Sequence, residues 1–334
     1  MNIGLLREIL PNFSFYDGRV DSFDVIPKTY QNTNAKFTIG NRSWVIKRHS
    51  KHGLSNRLLL SQWYQLNLYE AGLRVPKIEA GYGGETFIAS GQEIFSIQEW
   101  IEGQTMQHKE ERINQTAIRS LASHLSEMHA VSKTLYSMSP QPRNKVDRLV
   151  WPKVYLKHIK SSTRRRIPTL LLNRLKPKKS FMDRWVLENL QALEQEARQI
   201  STNPVSTFRD LCYVYSDIYW GNLIFDHNHE LRAFIDFDNA GVGSQEFEIG
   251  VAASICATSS EDIHTFLNAY QEATGITLNM ETIIFSMRLK ILTGSLWCIH
   301  AHLDLKGVDP VWLARWSAFL ERSRLNLVEF ESQI

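Results

Sequence analysis

The chain is poor in the residues that build several common kinds of site. It holds three cysteines in 334 residues, Cys212, Cys256 and Cys298. They are scattered, odd in number and form no Cys-x-x-Cys pair. That excludes a disulfide framework and a cysteine zinc site, and leaves reduced thiols as the expectation. The eleven histidines show no metal-ligand spacing; His124 and His129 are five apart, and His49 and His52 flank a loop. There is no Gly-x-x-x-x-Gly-Lys, so a Walker-type phosphate loop is excluded, and no Gly-x-Ser-x-Gly nucleophile elbow. No uninterrupted apolar run approaches the ~18 residues of a membrane span, so none is expected. Residues 1–13 lack the basic start, apolar middle and small-residue cleavage site of a secretion signal, and a cytoplasmic setting is expected.

What is present suits two lobes rather than one simple core. Nine Trp and sixteen Phe supply enough apolar volume for sizeable cores. The first hundred residues read as a small sheet with one helix. Lys36–Ile39 and Trp44–Lys47 alternate as strands about the turn Gly40–Arg42. Leu54–Ala71 has helical period and stops at Gly72, with Pro76 beyond. Gly81–Gly84 marks a further turn, and Phe95–Ile101 another strand. Beyond residue 102 the pattern is mainly helical. Ile118, Leu121, Leu125 and Met128 share one helix face, Phe181–Ile200 forms another helix, and helices continue from Gln245 to about Leu327. One β island interrupts them, from about Val214 to Asp238. The expected division is residues 1–101 as one lobe and 102–334 as the other, hinged near 98–102.

The chemistry lies in the β island. Asp217 precedes Asn222 by five residues; a strand, a polar turn at Asp226–His229 and a second strand ending in Asp236 follow. A hairpin centred near His229 would set Phe225 opposite Ala233 and Asn222 opposite Asp236. Residues facing each other in an antiparallel pair have Cα atoms about 4.5–5.5 Å apart. An amide oxygen and a carboxylate would then converge as hard ligands suited to Mg²⁺. Asp217, in the loop leading into the hairpin, would orient an acceptor hydroxyl and take its proton, the remaining requirement of phosphoryl transfer. The five-residue spacing is that of the kinase catalytic loop, Asp236-Phe237-Asp238 stands where kinases carry Asp-Phe-Gly, and Trp44-Val45-Ile46-Lys47 has the form of the strand lysine that holds phosphates. Asp238 is open between a second metal contact and a loop acid. Gly241-Val242-Gly243 is expected to be a flexible activation segment.

These residues resemble the aminoglycoside phosphotransferase-like kinases over almost the whole chain. The resemblance implies an α+β, two-lobed protein-kinase-like fold, with a small antiparallel sheet lobe holding one helix and a larger, mainly helical lobe. It implies ATP and Mg²⁺ as cofactors, Asp217 as catalytic base, Asn222 and Asp236 as metal ligands, and Lys47 as the phosphate lysine. Gln98–Ile101, including Glu99 and Ile101, would be the hinge whose backbone meets adenine. Thr33–Phe37, with Asn34, resembles the nucleotide-covering loop without its glycines. Three positions depart from the family pattern. Tyr215 replaces the histidine that opens the catalytic loop, Gln62 stands where a helix glutamate pairs the lysine, and Glu248 replaces an aspartate. Asn56–Leu59 and Arg148–Ala197 resemble the bacterial spore coat kinase-like branch specifically. The expected activity is transfer to a hydroxyl of a small, anionic or sugar-like molecule. A kinase-like protein without turnover, serving a structural or spore-coat-associated binding role, stays open beside it.

Positive charge is concentrated in one region. Residues 143–184 hold fourteen Lys and Arg against two acids, although the whole chain carries only +3. Arg164–Arg166 and Lys176–Lys179 are the densest runs. A solvated helix face and a surface for an anionic acceptor both fit this block. Nucleic acid is not the expected partner, because Trp151, Tyr155 and Trp185 sit at spacings that suit packing into helices as well as base stacking.

Overall fold

In the N-terminal half, residues alternate between the two faces of a sheet. The computed structural model describes residues 1–26, 33–49, 56–106, 113–138, 174–202, 211–256, 258–305 and 308–334. After helix α1 (Ile3–Ile9) come β1 (Ser22–Val25), β2 (Thr33–Ile39), β3 (Arg42–His49), β4 (Ile88–Ser90) and β5 (Glu93–Glu99), ordered β1-β2-β3-β5-β4 with antiparallel pairing throughout. Ala35, Phe37 and Ile39 of β2, Trp44 and Ile46 of β3, and Phe95 and Ile97 of β5 bury one face against α1 and Phe13. Lys47 takes the opposite face, as the two-residue period requires, and is itself buried.

Residues 33–37 are therefore strand, not a covering loop. Asn34 pairs with Lys47 in the β2–β3 ladder. The connection that could cover a nucleotide, residues 27–32, lies outside the described residues.

Helix α2 (Asn56–Glu70) ends as its sequence requires. Gly72 adopts φ 80°, and the Leu73 N–H reaches back to the Leu68 carbonyl, which is the closing bond of a glycine-capped terminus. Leu60, Tyr64 and Leu68 join the core of the second lobe rather than that of the sheet. Polar bonds tie the helix to the sheet side: Gln65 donates to the Pro76 carbonyl at 2.8 Å and to Gln98 at 3.3 Å. The helix thus spans both lobes.

The second lobe is built on α3 (Gln115–Met138), whose Ile118, Leu121, Leu125 and Met128 are buried as their spacing predicts. Around it lie α4 (Phe181–Thr202), α5 (Gln245–Cys256), α6 (Ser260–Thr274), α7 (Met280–Asp304) and α8 (Pro310–Glu331). Helix α7 is long and apolar enough, by length and composition, to cross a membrane, and most of that stretch is buried against α5 and α8. At the α5–α7 contact Gly250 leaves no room for a side chain: a Cβ there would stand 2.6 Å from the Ile283 carbonyl oxygen.

The β island consists of two ribbons. β6 (Leu211–Val214) pairs with β9 (Gly241–Ser244), and β7 (Leu223–Phe225) with β8 (Leu231–Phe234). The segment at Gly241–Gly243 is consequently a buried, hydrogen-bonded strand and not a loose loop. Immediately after the hinge region, Gln104 exchanges two backbone hydrogen bonds of 2.9 Å with Phe225, so the chain enters the second lobe by joining its hairpin.

Most of the basic block, including Arg164–Arg166, Trp151 and Tyr155, lies outside the described residues. The described part folds onto the start of α4. Lys176 pairs with Asp183 at 2.8 Å, Lys179 donates to the Lys176 carbonyl, and Trp185 is core.

Candidate active site

The β7–β8 hairpin fixes the register of the site, one residue away from the simplest reading. Leu223 opposes Phe234 and Ile224 opposes Ala233, but Phe225 opposes Leu231 across an irregularity. The turn explains the slip. His229 adopts φ 64°, and Asp226 accepts hydrogen bonds from the Asn228 and Glu230 N–H groups. Asn222 therefore meets Ile235, whose N–H donates to its carbonyl at 2.9 Å. Asp236 comes next to this pair because it leaves the strand in the left-handed region, φ 65° and ψ 68°. A non-glycine residue held there costs on the order of 1–3 kcal/mol, and such strain gathers at functional sites.

A second left-handed residue, Ser216 at φ 63°, precedes Asp217. Its N–H donates to the buried Glu248 carboxylate and its hydroxyl to the Asn239 carbonyl. Glu248 on α5 also meets His129 of α3 at 2.9 Å, and His129 meets Tyr270 of α6 at 2.8 Å. A fully buried acid is thus satisfied by the loop it supports and by a histidine. Tyr215 is fully buried as well; its hydroxyl donates to the Ile235 carbonyl, and its ring lies 4.8 Å from Phe237. Tyr215 therefore braces the strand that delivers Asp236.

Asp217 is gripped from one side. Asn222 Nδ2 at 3.1 Å and Asn239 Nδ2 at 2.9 Å both donate to its Oδ2. Burial pushes the carboxyl above its usual range; the Lys290 charge and the two amides oppose this, and Asp236 adds to it. With the Asn222 nitrogen committed to Asp217, its amide oxygen is the group suited to a cation.

Lys47 reaches this centre from the sheet, 189 positions away in sequence. Its Nζ stands 2.6 Å from Asp236 Oδ1 and 2.9 Å from Asp238 Oδ1. Burial alone would lower the lysine, but the two carboxylates outweigh it and hold the ammonium above its ordinary range. Gln62 is elsewhere: its Nε2 donates to the Thr86 carbonyl at 3.3 Å, and its Oε1 accepts from the Thr86 hydroxyl at 2.6 Å. The structure brings together Lys47, Asp217, Asn222 and Asp236, and joins Gln62 to the β4 approach instead. Asn34 Oδ1, on the strand beside Lys47, is buried without a hydrogen-bond partner among the described residues. At the expected hinge, the Glu99 N–H donates to the Lys77 carbonyl, and Ile101 follows the end of β5.

Carboxylate and amide oxygens at Asp236 and Asn222 fit a hard divalent cation that completes its shell with water and phosphate oxygens. No cluster of three His, Cys, Asp or Glu suited to a metal occurs among the described residues; a site of one carboxylate and one amide needs none.

Sequence reasoning overlooked Asn239 and Lys290. Asn239 sits in the turn after Asp236, where a short amide is also ordinary turn chemistry. Lys290 follows Arg288 by two residues in the largely apolar helix α7, and a pair of basic residues in such a helix is the available signal.

The architecture is a two-lobed kinase-like fold. The chain belongs to the phosphotransferase enzyme family (APH), whose model matches residues 22–280. Among solved structures it is similar to spectinomycin phosphotransferase APH(9)-Ia in complex with ADP and spectinomycin, at 12% identity and a TM-score of 0.71 over 97% of this chain and 98% of that one. It is also similar to the microcompartment-associated aminopropanol kinase, at 13% identity and 0.62 over 99% and 98%. A third similar structure is an aminoglycoside phosphotransferase from Alicyclobacillus acidocaldarius, at 12% identity and 0.60 over 98% and 95%. At these identities the likeness is one of fold. No curated protein sequence matches the chain.

Proposed function

We propose that the protein is an ATP- and Mg²⁺-dependent phosphotransferase acting on a hydroxyl of a small molecule. The observation that carries this reading is the meeting of Lys47 with Asp236, 2.6 Å apart, beside an Asp217–Asn222 pair at the entry to the same hairpin. Lys47 holds nucleotide phosphates, and Asp217 orients the acceptor hydroxyl and accepts its proton. Asn222 and Asp236 would hold Mg²⁺, which when bound neutralises phosphate charge. The backbone at Glu99 and Ile101 is the proposed adenine contact, and Asn34 flanks the phosphates. The proposed lobe boundary at 101/102 is supported by the end of β5 at Glu99 and by the Gln104–Phe225 bonds; α2 straddles it.

For the acceptor, two features favour an anionic, sugar-like molecule. Lys290 places positive charge where it acts on Asp217. Tyr219, two residues beyond Asp217, meets Trp316 edge-on at 6.2 Å, and Trp312 and Trp297 continue this partly exposed aromatic layer. Aromatic faces suit the apolar face of a sugar ring. A cytoplasmic setting and kinship to the spore coat kinase-like branch belong to the same proposal; Cys212 and Cys298, buried and not joined in a disulfide, agree with the setting.

The test is MgATP affinity with and without metal, followed by a screen of hydroxyl compounds for ADP release. Metal-dependent binding that is lost in Asp236→Ala is the expected result. Binding indifferent to metal favours the kinase-like binding protein, for which the relocated Gln62 speaks, and absence of nucleotide binding sinks both readings.

A further inference from the structure

The α2 residue expected to orient Lys47, Gln62, is bonded to Thr86 instead. A lysine has three donors on a flexible stem, so a second anionic partner, besides the carboxylate that is to meet a metal, would fix where its head stands. Asp238 satisfies this. Its Oδ1 lies 2.9 Å from Lys47 Nζ, and its Oδ2 faces His49 Nδ1 at 3.9 Å. The His49 ring is in turn fixed by Ser96, Nε2 to Oγ 2.9 Å. Burial keeps His49 neutral down to about pH 4, so it does not compete for the carboxylate as a cation at neutral pH. Asp238 itself is carried on the short helical turn Phe237–Asn239, which α2 packs against through the Tyr64–Phe237 ring contact at 5.9 Å. Helix α2 therefore acts on Lys47 indirectly, by seating the turn that bears the carboxylate.

We infer that Asp238 is the positioning residue for Lys47, a role moved from the α2 helix to the turn after Asp236, and that Asp238 is not a metal ligand. Both amide atoms of Gln62 are bonded to Thr86, and a neutral amide would hold an ammonium less firmly than a carboxylate. The inference rests on the phosphotransferase reading, and the experiment separates the two.

MgATP affinity and slow ATP hydrolysis are measured for the full chain. Asp238→Asn is expected to weaken MgATP binding about tenfold and to lower hydrolysis, with the Mg²⁺ midpoint unchanged. Asp238→Glu keeps the carboxylate on a stem one methylene longer and is expected to stay within about threefold of wild type. Gln62→Ala is expected to weaken MgATP binding less than Asp238→Asn does. Wild-type affinity in Asp238→Asn, a larger loss in Gln62→Ala, or a shifted Mg²⁺ midpoint overturns the inference. If Asp238→Asn does not fold, the Asp238→Glu protein decides: retained affinity supports the role, and a tenfold loss overturns it. Failure of wild type to bind MgATP defeats the phosphotransferase reading instead.

Discussion

Asp217 shows how little of a residue's role lies in its own identity. Its carboxylate receives two amide donors on one oxygen, one from the hairpin and one from the turn beyond Asp236. Asp217→Asn keeps the shape and removes the proposed base. Turnover is expected to fall about 10²–10⁴-fold, the usual worth of a positioned acid or base, while MgATP affinity stays near wild type. Kinetics and calorimetry on one preparation check both halves. At the same scale, Asp183 is the hub of a small structural site. It accepts from the Ser180 N–H and hydroxyl, Lys176 and His302. Burial would raise its carboxyl, but these bonds hold it well below the usual range. Asp183→Ala removes the shared acceptor of these donors and is expected to cost about 1–3 kcal/mol, read by urea unfolding.

Two contacts between elements set the site's precision. Glu248 ties α5 to the catalytic loop and to α3 at once, and is buried completely. Its loss strands His129 and frees Ser216 from a conformation that needs support. Glu248→Ala is expected to destabilise by about 3–5 kcal/mol and also to depress turnover; unchanged kinetics in a folded variant would argue that the loop holds itself. The α5–α7 crossing depends on Gly250. An added methyl would meet both the Ile283 carbonyl and the Ser286 Cβ at 2.6 Å, and backbone cannot rotate away as a side chain can. Gly250→Ala is expected to cost about 1–3 kcal/mol by overpacking, measured as a lower unfolding midpoint with an unchanged denaturant slope.

At the scale of the whole molecule, His49 and Asp183 both make stability sensitive to acid. His49 has a folded pKa of about 4 against an ordinary 6.5, so the unfolded chain binds the extra proton first and stability falls as pH drops across that interval. The interval corresponds to roughly 3 kcal/mol. Asp183 has a depressed folded pKa. Its contribution is present above the ordinary carboxylate range and is lost as pH falls through its lowered value. Thermal unfolding between pH 7 and pH 3 is expected to show a steady loss, with the upper part of it removed in His49→Gln. A flat profile would contradict the burial that keeps His49 neutral.

Local signals were enough for much of this protein. Alternation gave the strands at Lys36–Ile39 and Trp44–Lys47, helical period gave α3 and α4, and a five-residue spacing with an acid at a strand end singled out Asp217, Asn222 and Asp236. These properties repeat over a few residues, and neighbours in sequence write them. The hairpin register was decided by a single left-handed residue, His229, whose backbone choice depends on the capping carboxylate of Asp226. Thr33–Phe37 resembles a covering loop in the family pattern, although Lys36–Ile39 alternates as a strand; pairing with β1 and β3 carries that strand back to Thr33. Gly241–Gly243 reads as flexible because its order comes from β6, about thirty positions earlier. The partners of Lys47 were settled only by packing: Gln62 is close in the pattern of the family, but Thr86 offers it both a donor and an acceptor, and the lysine finds Asp236 and Asp238 across the lobes. The sequence by itself determined which residues could carry phosphoryl transfer, because chemistry resides in side-chain types and their spacing. Only the tertiary structure decided which carboxylates face the lysine, because that depends on how two lobes distant in sequence close against each other.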